Sequence, residues 1–200
     1  MLRHAVRALP VPVLVATGPV AALLLWLVDR WPWAAWPAAG VAAATVGAAA
    51  AQLFNEPAAA IVDALPRPLW WRTTARLMPA ALLAVLWLAL VPLVDLDGAG
   101  RTPFVQLEGV VTILCAAACT TWLRRRGQHS PGPAVGAALL LVLSFLALWN
   151  PLEDVLPLYP YGPPPAPWRT AYLLWGCGGA AFAVVLVLAM LPRRARQVSG

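Results

Sequence analysis

The chain contains no lysine, and among its 200 residues there are two histidines, three cysteines and eight acids, with charged residues of either sign making up 11%. Each shortage excludes a class of chemistry. A Walker loop needs an ammonium group at the nucleotide phosphates, so this chain has no such loop of its own. Cys115 and Cys119 stand four residues apart, Cys177 lies far along the chain, and His4 and His129 fall in polar segments, so soft and imidazole ligands do not gather into a metal site. Bond geometry argues against a disulfide between Cys115 and Cys119 within one regular helix, and the three cysteines read as small packing residues. There is no nucleophile elbow, no zincin helix and no nucleotide-binding glycine fingerprint. No cluster of acid, base and nucleophile converges at one depth. The expectation is a protein that is not an enzyme and binds no cofactor or metal itself.

What the chain has in abundance is apolar surface: it is 62% hydrophobic with a mean hydropathy of +0.75, well outside the balance of a soluble domain. Several apolar runs reach the roughly 20 residues that cross a hydrocarbon core about 30 Å thick. They are long, rich in Ala, Leu and Val, and punctuated by proline, unlike the roughly 10-residue alternating strands of a membrane barrel. The expected fold is all-α, a polytopic membrane helical bundle with spans near Pro10 to Val28, Trp33 to Phe54, Arg76 to Val94, Pro103 to Leu123, Pro133 to Trp149 and Thr170 to Leu191. The first run lacks a small-residue cleavage site and reads as a retained span.

Six spans put both termini on one side, and arginine says which. Eleven of the fourteen arginines (Arg3, Arg7, Arg67, Arg72, Arg76, Arg124, Arg125, Arg126, Arg193, Arg194 and Arg196) fall on the side of the termini, and only Arg30, Arg101 and Arg169 on the other. The positive-inside rule makes the first side cytosolic. In a membrane protein this placement explains the net charge of +6 without a nucleic-acid partner. Trp31, Trp33, Trp36, Trp149 and Trp168 mark the outer interface, and Trp70, Trp71 and Trp122 the inner one, as anchors in the headgroup zone.

An ionisable group inside a membrane is expensive and points to a function. Glu108 is the nearest candidate, about one and a half turns into the fourth span from its outer end, where it is expected to reach interfacial water and either to serve structure or to line a gate.

Two polar excursions interrupt the apolar runs. In the first, NEPAAAIVDALPRPLWWR from Asn55 to Arg72, Asn55 is a helix N-cap, Glu56 favours the positive end of the helix dipole and Pro57 is tolerated in the first turn. A short helix from Glu56 to Leu65 is expected, with Ile61 and Leu65 on one face, Val62 beside them and Asp63 elsewhere, stopped by Pro66 and Pro68. It lacks basic residues and carries two acids, so a protein partner suits it better than an anionic lipid surface, although a passive interfacial helix is the alternative. The second excursion, NPLEDVLPLYPYGPPPAPWR from Asn150 to Arg169, holds seven prolines and is stiff and non-helical over its second half. Leu152, Val155, Leu156 and Leu158 are placed to lie in or dip back into the outer leaflet, which makes the segment either a rigid linker or, with Glu108, a lid over an outward exit.

Six spans, cytosolic termini, a short helix between the second and third spans and a semi-apolar outer segment before the last span together resemble the permease subunit of type-2 (type V) ABC exporters. The Asn55-Glu56-Pro57 start and Leu65-Pro66-Arg67-Pro68 exit also resemble short cytosolic turns of small actinobacterial permease-like proteins. The resemblance implies a coupling helix that docks in a cleft of a separate ATPase subunit through Asn55, Glu56, Pro57, Ala58, Ile61, Val62, Asp63, Leu65 and Arg67. It implies a homodimer in a bacterial cytoplasmic membrane, with ATP and Mg2+ held by the partner, exporting a hydrophobic or amphipathic compound. The alternative is a non-transporting membrane scaffold or assembly protein that uses the same helix to hold another cytosolic partner.

Overall fold

Alanine and glycine decide which helix sits at the centre. The computed structural model describes residues 11–31, 35–55, 69–94, 96, 101–151, 155–160 and 166–191, and among them it is all-helical. The helices are α1 (Val11–Arg30), α2 (Ala35–Leu53), α3 (Leu69–Leu90), α4 (Arg101–Arg125), α5 (Gly132–Leu148) and α6 (Ala166–Met190). Of these, α3, α4 and α6 are long and apolar enough to cross a membrane, and α1, α2 and α5 contain shorter apolar stretches.

α2, with the sequence AWPAAGVAAATVGAAAAQL, packs against α1, α4 and α5, and Ala42, Ala43, Ala44, Ala50 and Ala51 are all buried. Its narrow side chains let three neighbours approach closely, as small residues do at helix interfaces. A Cβ on Gly47 would lie 2.2 Å from Thr112 Cγ2 of α4. Gly132 and Gly136 of α5 lie against the backbone carbonyls of Ala51 and Ala48. α4 is the second interior helix, packed on α2, α3 and α6. α5 and α6, though consecutive, have almost no direct packing on each other; α5 rests on α2 and α6 on α4.

The outward faces are apolar. Val15, Leu23 and Trp26 on α1, Met78, Leu82, Val85 and Leu86 on α3, Leu141, Val142 and Phe145 on α5, and Leu173, Val184 and Val187 on α6 are all exposed, whereas the interior holds Thr73, Glu108, Thr112, Thr120 and Thr121. That is the reverse of a soluble domain, where large contiguous apolar patches are rare, and it is compatible with a membrane protein. Some helix hydroxyls turn back to their own backbone: Thr45 Oγ1 donates to Val41 O at 2.8 Å and Thr112 Oγ1 to Glu108 O at 2.7 Å.

The helices extend beyond the expected apolar runs. α3 begins at Leu69, not Arg76: Leu69-Trp70-Trp71 ahead of Arg72, Thr73 and Thr74 is already helical, with Thr74 Oγ1 bonded back to Trp70 O. It tightens to a 3-10 turn at Val91–Leu93, where Pro92 has no N–H to continue the α ladder. α4 ends in a Schellman turn, with Gly127 at φ +96°, Gly127 N–H donating to Arg124 O and Gln128 N–H to Leu123 O.

Two tryptophans have roles other than anchoring. Trp87 is buried with its Nε1–H on Val105 O at 3.0 Å, and its indole occupies the space a side chain on Gly109 would need. Gln106 Nε2 donates to Leu88 O at 2.9 Å beside it, so α3 and α4 are joined by two side-chain-to-backbone bonds. Trp168, expected at an interface, is only 6% exposed, because it packs edge-on against Phe104 at 5.4 Å; Trp149, at 69%, is open as an anchor would be.

Adding a methyl group at Gly109 puts a Cβ 2.1 Å from the indole nitrogen of Trp87. Gly109→Ala is expected to destabilise the protein by about 1–3 kcal/mol through overpacking. Gly178→Ala, where no atom lies within 4 Å, is expected to change stability by less than about 0.5 kcal/mol. Thermal unfolding of the two purified variants, followed by tryptophan fluorescence, checks the contrast.

Candidate functional site

At one end of the bundle, where α4 and α6 begin and α5 ends, a carboxyl group is enclosed by aromatic rings. Glu108 lies on α4, one turn below Phe104 and one turn above Thr112, and it is 0% exposed. It therefore does not reach water as the sequence implies, and the reason is a side chain that hydropathy does not single out. Tyr159, also 0% exposed, folds back from the α5–α6 connection and covers it.

The seat for Tyr159 is built from four helices. Gly40 of α2 leaves the room, since a Cβ there would lie 2.8 Å from the Tyr159 ring and 2.6 Å from Ala147 Cβ of α5. Trp175 of α6 meets the ring edge-on at 6.1 Å between centroids, and Glu108 of α4 faces the phenol. The backbone is braced to keep the ring there. Trp175 Nε1 donates to Leu158 O at 3.0 Å, Asn150 Nδ2 donates to Leu156 O at 3.0 Å, and Leu158 N–H closes a three-residue turn on Leu156 O at 2.7 Å. Pro157 at the centre of that turn has the φ it requires.

Phe104, Trp168, Tyr172 and Trp175 line the rest of this end; Phe104 meets Tyr172 edge-on at 5.2 Å. The Arg101 guanidinium lies 5.7 Å from the Trp168 ring at the rim.

The polar atoms of the site are not paired off. Glu108 Oε1, Glu108 Oε2 and the Tyr159 hydroxyl are all buried; the phenol faces the carboxyl as its hydrogen-bonding neighbour, at a geometry that leaves the bond between them incomplete. Burial, and after it the neighbouring Glu108 carboxyl, holds the Tyr159 phenol well above its ordinary range, so it stays an O–H group. A buried acid with open lone pairs beside a phenol and several indoles can hold a ligand that donates hydrogen bonds.

Of the residues expected to form an outer lid, Glu108 is central and Leu158 is half-buried against the same cluster. Val155 is 77% exposed and Leu156 also points outward, while Leu152 lies outside the described residues. Tyr159 and Trp175 went unremarked in the sequence, although an aromatic between prolines in Leu158-Tyr159-Pro160 is the signal that marks an inserted ring.

The other expected site falls almost wholly outside the described residues: Glu56, Pro57, Ala58, Ile61, Val62, Asp63, Leu65 and Arg67 all do. Its flanks are described. Asn55 Oδ1 accepts from Ser130 Oγ at 2.9 Å, which links the end of α2 to the start of α5. Arg76 of α3 donates to Leu53 O at 3.1 Å and also to Asn55 O, so the helices before and after residues 56–68 are clamped at their base. At the same end Arg124 Nη1 donates to Gln128 O and His129 O, and Arg125 reaches Leu188 O of α6. Cys115 and Cys119 place their sulfurs 4.0 Å apart on one face of α4.

Comparisons of the chain with protein-family models, with curated proteins and with solved structures find no match.

Removing the plug ring leaves a void lined by Gly40, Ala147 and Trp175. Tyr159→Ala is expected to cost about 3–5 kcal/mol, in the range of other buried aromatic truncations. Tyr159→Phe, which deletes a hydroxyl that completes no hydrogen bond, is expected to stay within about 1 kcal/mol of the original protein. Chemical unfolding monitored by tryptophan emission reads both.

Proposed function

We propose that the chain is the membrane permease subunit of a type-2 ABC exporter, with six spans, both termini in the cytosol of a bacterium, and a separate ATPase docked on residues 56–65. The observation that carries this reading is the clamp at the base of α2 and α3. Arg76 holds the last carbonyls of α2, and Asn55 holds Ser130 ahead of α5, so the two ends of the 56–68 segment are tied to three helices at once. A docked motor that pushes on such a segment moves α2, α3 and α5 together, as a rigid-body shift and not a local bend. An unclamped loop would absorb the push.

Two further observations support it. α1, α2 and α5 contain shorter apolar stretches and pack on the three longer helices or on one another, which supports placing all six in one layer. Arg72, Arg76, Arg124, Arg125 and Arg126 fall toward one end and Arg30, Arg101 and Arg169 toward the other, a distribution that supports a cytosolic first end under the positive-inside rule. The turn at 155–160 then lies on the outer side and covers a closed exit. Two copies form the path, because six helices are too few to enclose a wide one alone. Substrate leaves outward when the ATPases close on ATP and Mg2+.

A non-transporting scaffold is the second reading, favoured by the tight Gly and Ala contacts of α2 with α4 and α5. Co-purification separates the two. Ile61→Asp combined with Leu65→Asp is expected to abolish recovery of an ATPase with the affinity-purified chain from native membranes. Recovery of the ATPase at unchanged stoichiometry sinks the docking assignment, and a stoichiometric partner without ATPase activity favours the scaffold.

A further inference from the structure

The carboxyl of Glu108 is fully enclosed, and among the described residues its polar neighbour is the Tyr159 hydroxyl, which does not complete a bond to it. Leaving such a group buried costs free energy that the surrounding packing must offset. Four elements contribute described residues around it. α4 contributes Phe104 above, with Thr112 below turned back to the Glu108 carbonyl. α6 contributes Tyr172 and Trp175, α2 contributes Gly40, and the α5–α6 turn contributes Tyr159. The one described cation on the same face, Arg101, lies two turns outward over Trp168.

This set has a shape in chemical terms. A carboxyl with two open oxygens asks for a donor carrying several N–H groups and positive charge, and faces of Trp and Tyr attract the same charge while accommodating an apolar body. Tyr159 offers a single O–H and no charge, so it covers the acid without satisfying it. It is held by bonds to the backbone of its turn, Trp175 to Leu158 O and Asn150 to Leu156 O, and not by a helix or strand, so it can leave its seat without unfolding an element.

We infer that Glu108 and the aromatic rings around it form a binding site for a lipophilic protonated amine, and that Tyr159 occupies this site as a displaceable plug. The inference rests on the export reading for its physiological meaning, since it names the class of compound exported, but the site itself is a binding property of this chain alone. On entry, the ammonium group takes the place of the phenol and donates to both Glu108 oxygens. The apolar body lies among Phe104, Tyr172 and Trp175.

The test uses the full chain purified in detergent without the ATPase, and rhodamine 6G, a lipophilic cation with N–H donors, read by fluorescence anisotropy. Saturable binding is expected, and Glu108→Gln, which keeps the shape and removes the charge, is expected to weaken it by about tenfold or more. Tyr159→Phe keeps binding, and Tyr159→Ala tightens it because no ring has to be displaced. Dodecylammonium is expected to compete with the dye and 1-dodecanol is not, a contrast read in the unaltered protein that needs no variant to fold. Equal binding by Glu108→Gln, equal competition by dodecanol, or no saturable signal in either the original protein or Tyr159→Ala overturns the proposal. Loss of dye binding while an ATPase still co-purifies rejects the amine site alone; intact amine-selective binding without any ATPase partner rejects the exporter reading alone.

Discussion

The close approach of α2 to α4 and α5 is the contact on which the rest of the molecule depends. Where the outer surface is apolar, burying another apolar side chain between helices gains little over leaving it in hydrocarbon, so association rests on van der Waals contact at short range. Gly40, Gly47, Gly132 and Gly136 supply that range by removing the Cβ atoms that would hold the backbones apart. Set that close, α2 positions the end of α5 and the outer turns of α4 around a common space, and Tyr159 fills it.

The two ends of the bundle use opposite chemistry. At the arginine-rich end, carbonyls near helix ends accept from Arg76 and Arg125, and the carbonyls of the α4–α5 connection at Gln128 and His129 accept from Arg124. Charge there is spent on binding helix ends and connections together. At the other end the connections are satisfied by neutral donors, Trp175 Nε1 and Asn150 Nδ2, and the one buried charge-bearing group, Glu108, is left with open lone pairs among aromatic rings.

Much of this was legible in order along the chain and little of it across the chain. The six apolar runs marked the six helices, because a helix satisfies its own backbone and its period is local. Their starts were less legible: Arg72, Thr73, Thr74 and Arg76 interrupt the apolar run and hid the helical turns from Leu69 onward, although nothing there breaks a helix. Among the tryptophans, position near the end of a run did not separate the open Trp149 from the buried Trp168, whose burial depends on Phe104, more than sixty residues earlier. Trp87 was silent in the sequence for the same reason, as its partners Val105 and Gly109 lie on the next helix.

By itself the sequence determined the helical class, the apolar exterior, the sparse and one-sided charge, and the position of Glu108 near one end of its run, all of which follow from composition and short-range spacing. Only the tertiary structure decided that Glu108 is shut away from solvent, that a tyrosine from a proline-rich connection is what shuts it, and that α2 and α3 are clamped by Arg76. The reason is that a side chain's burial and its partners are set by whatever other helices bring to it, and here those helices arrive at distances fixed by glycines whose effect is invisible until they face one another.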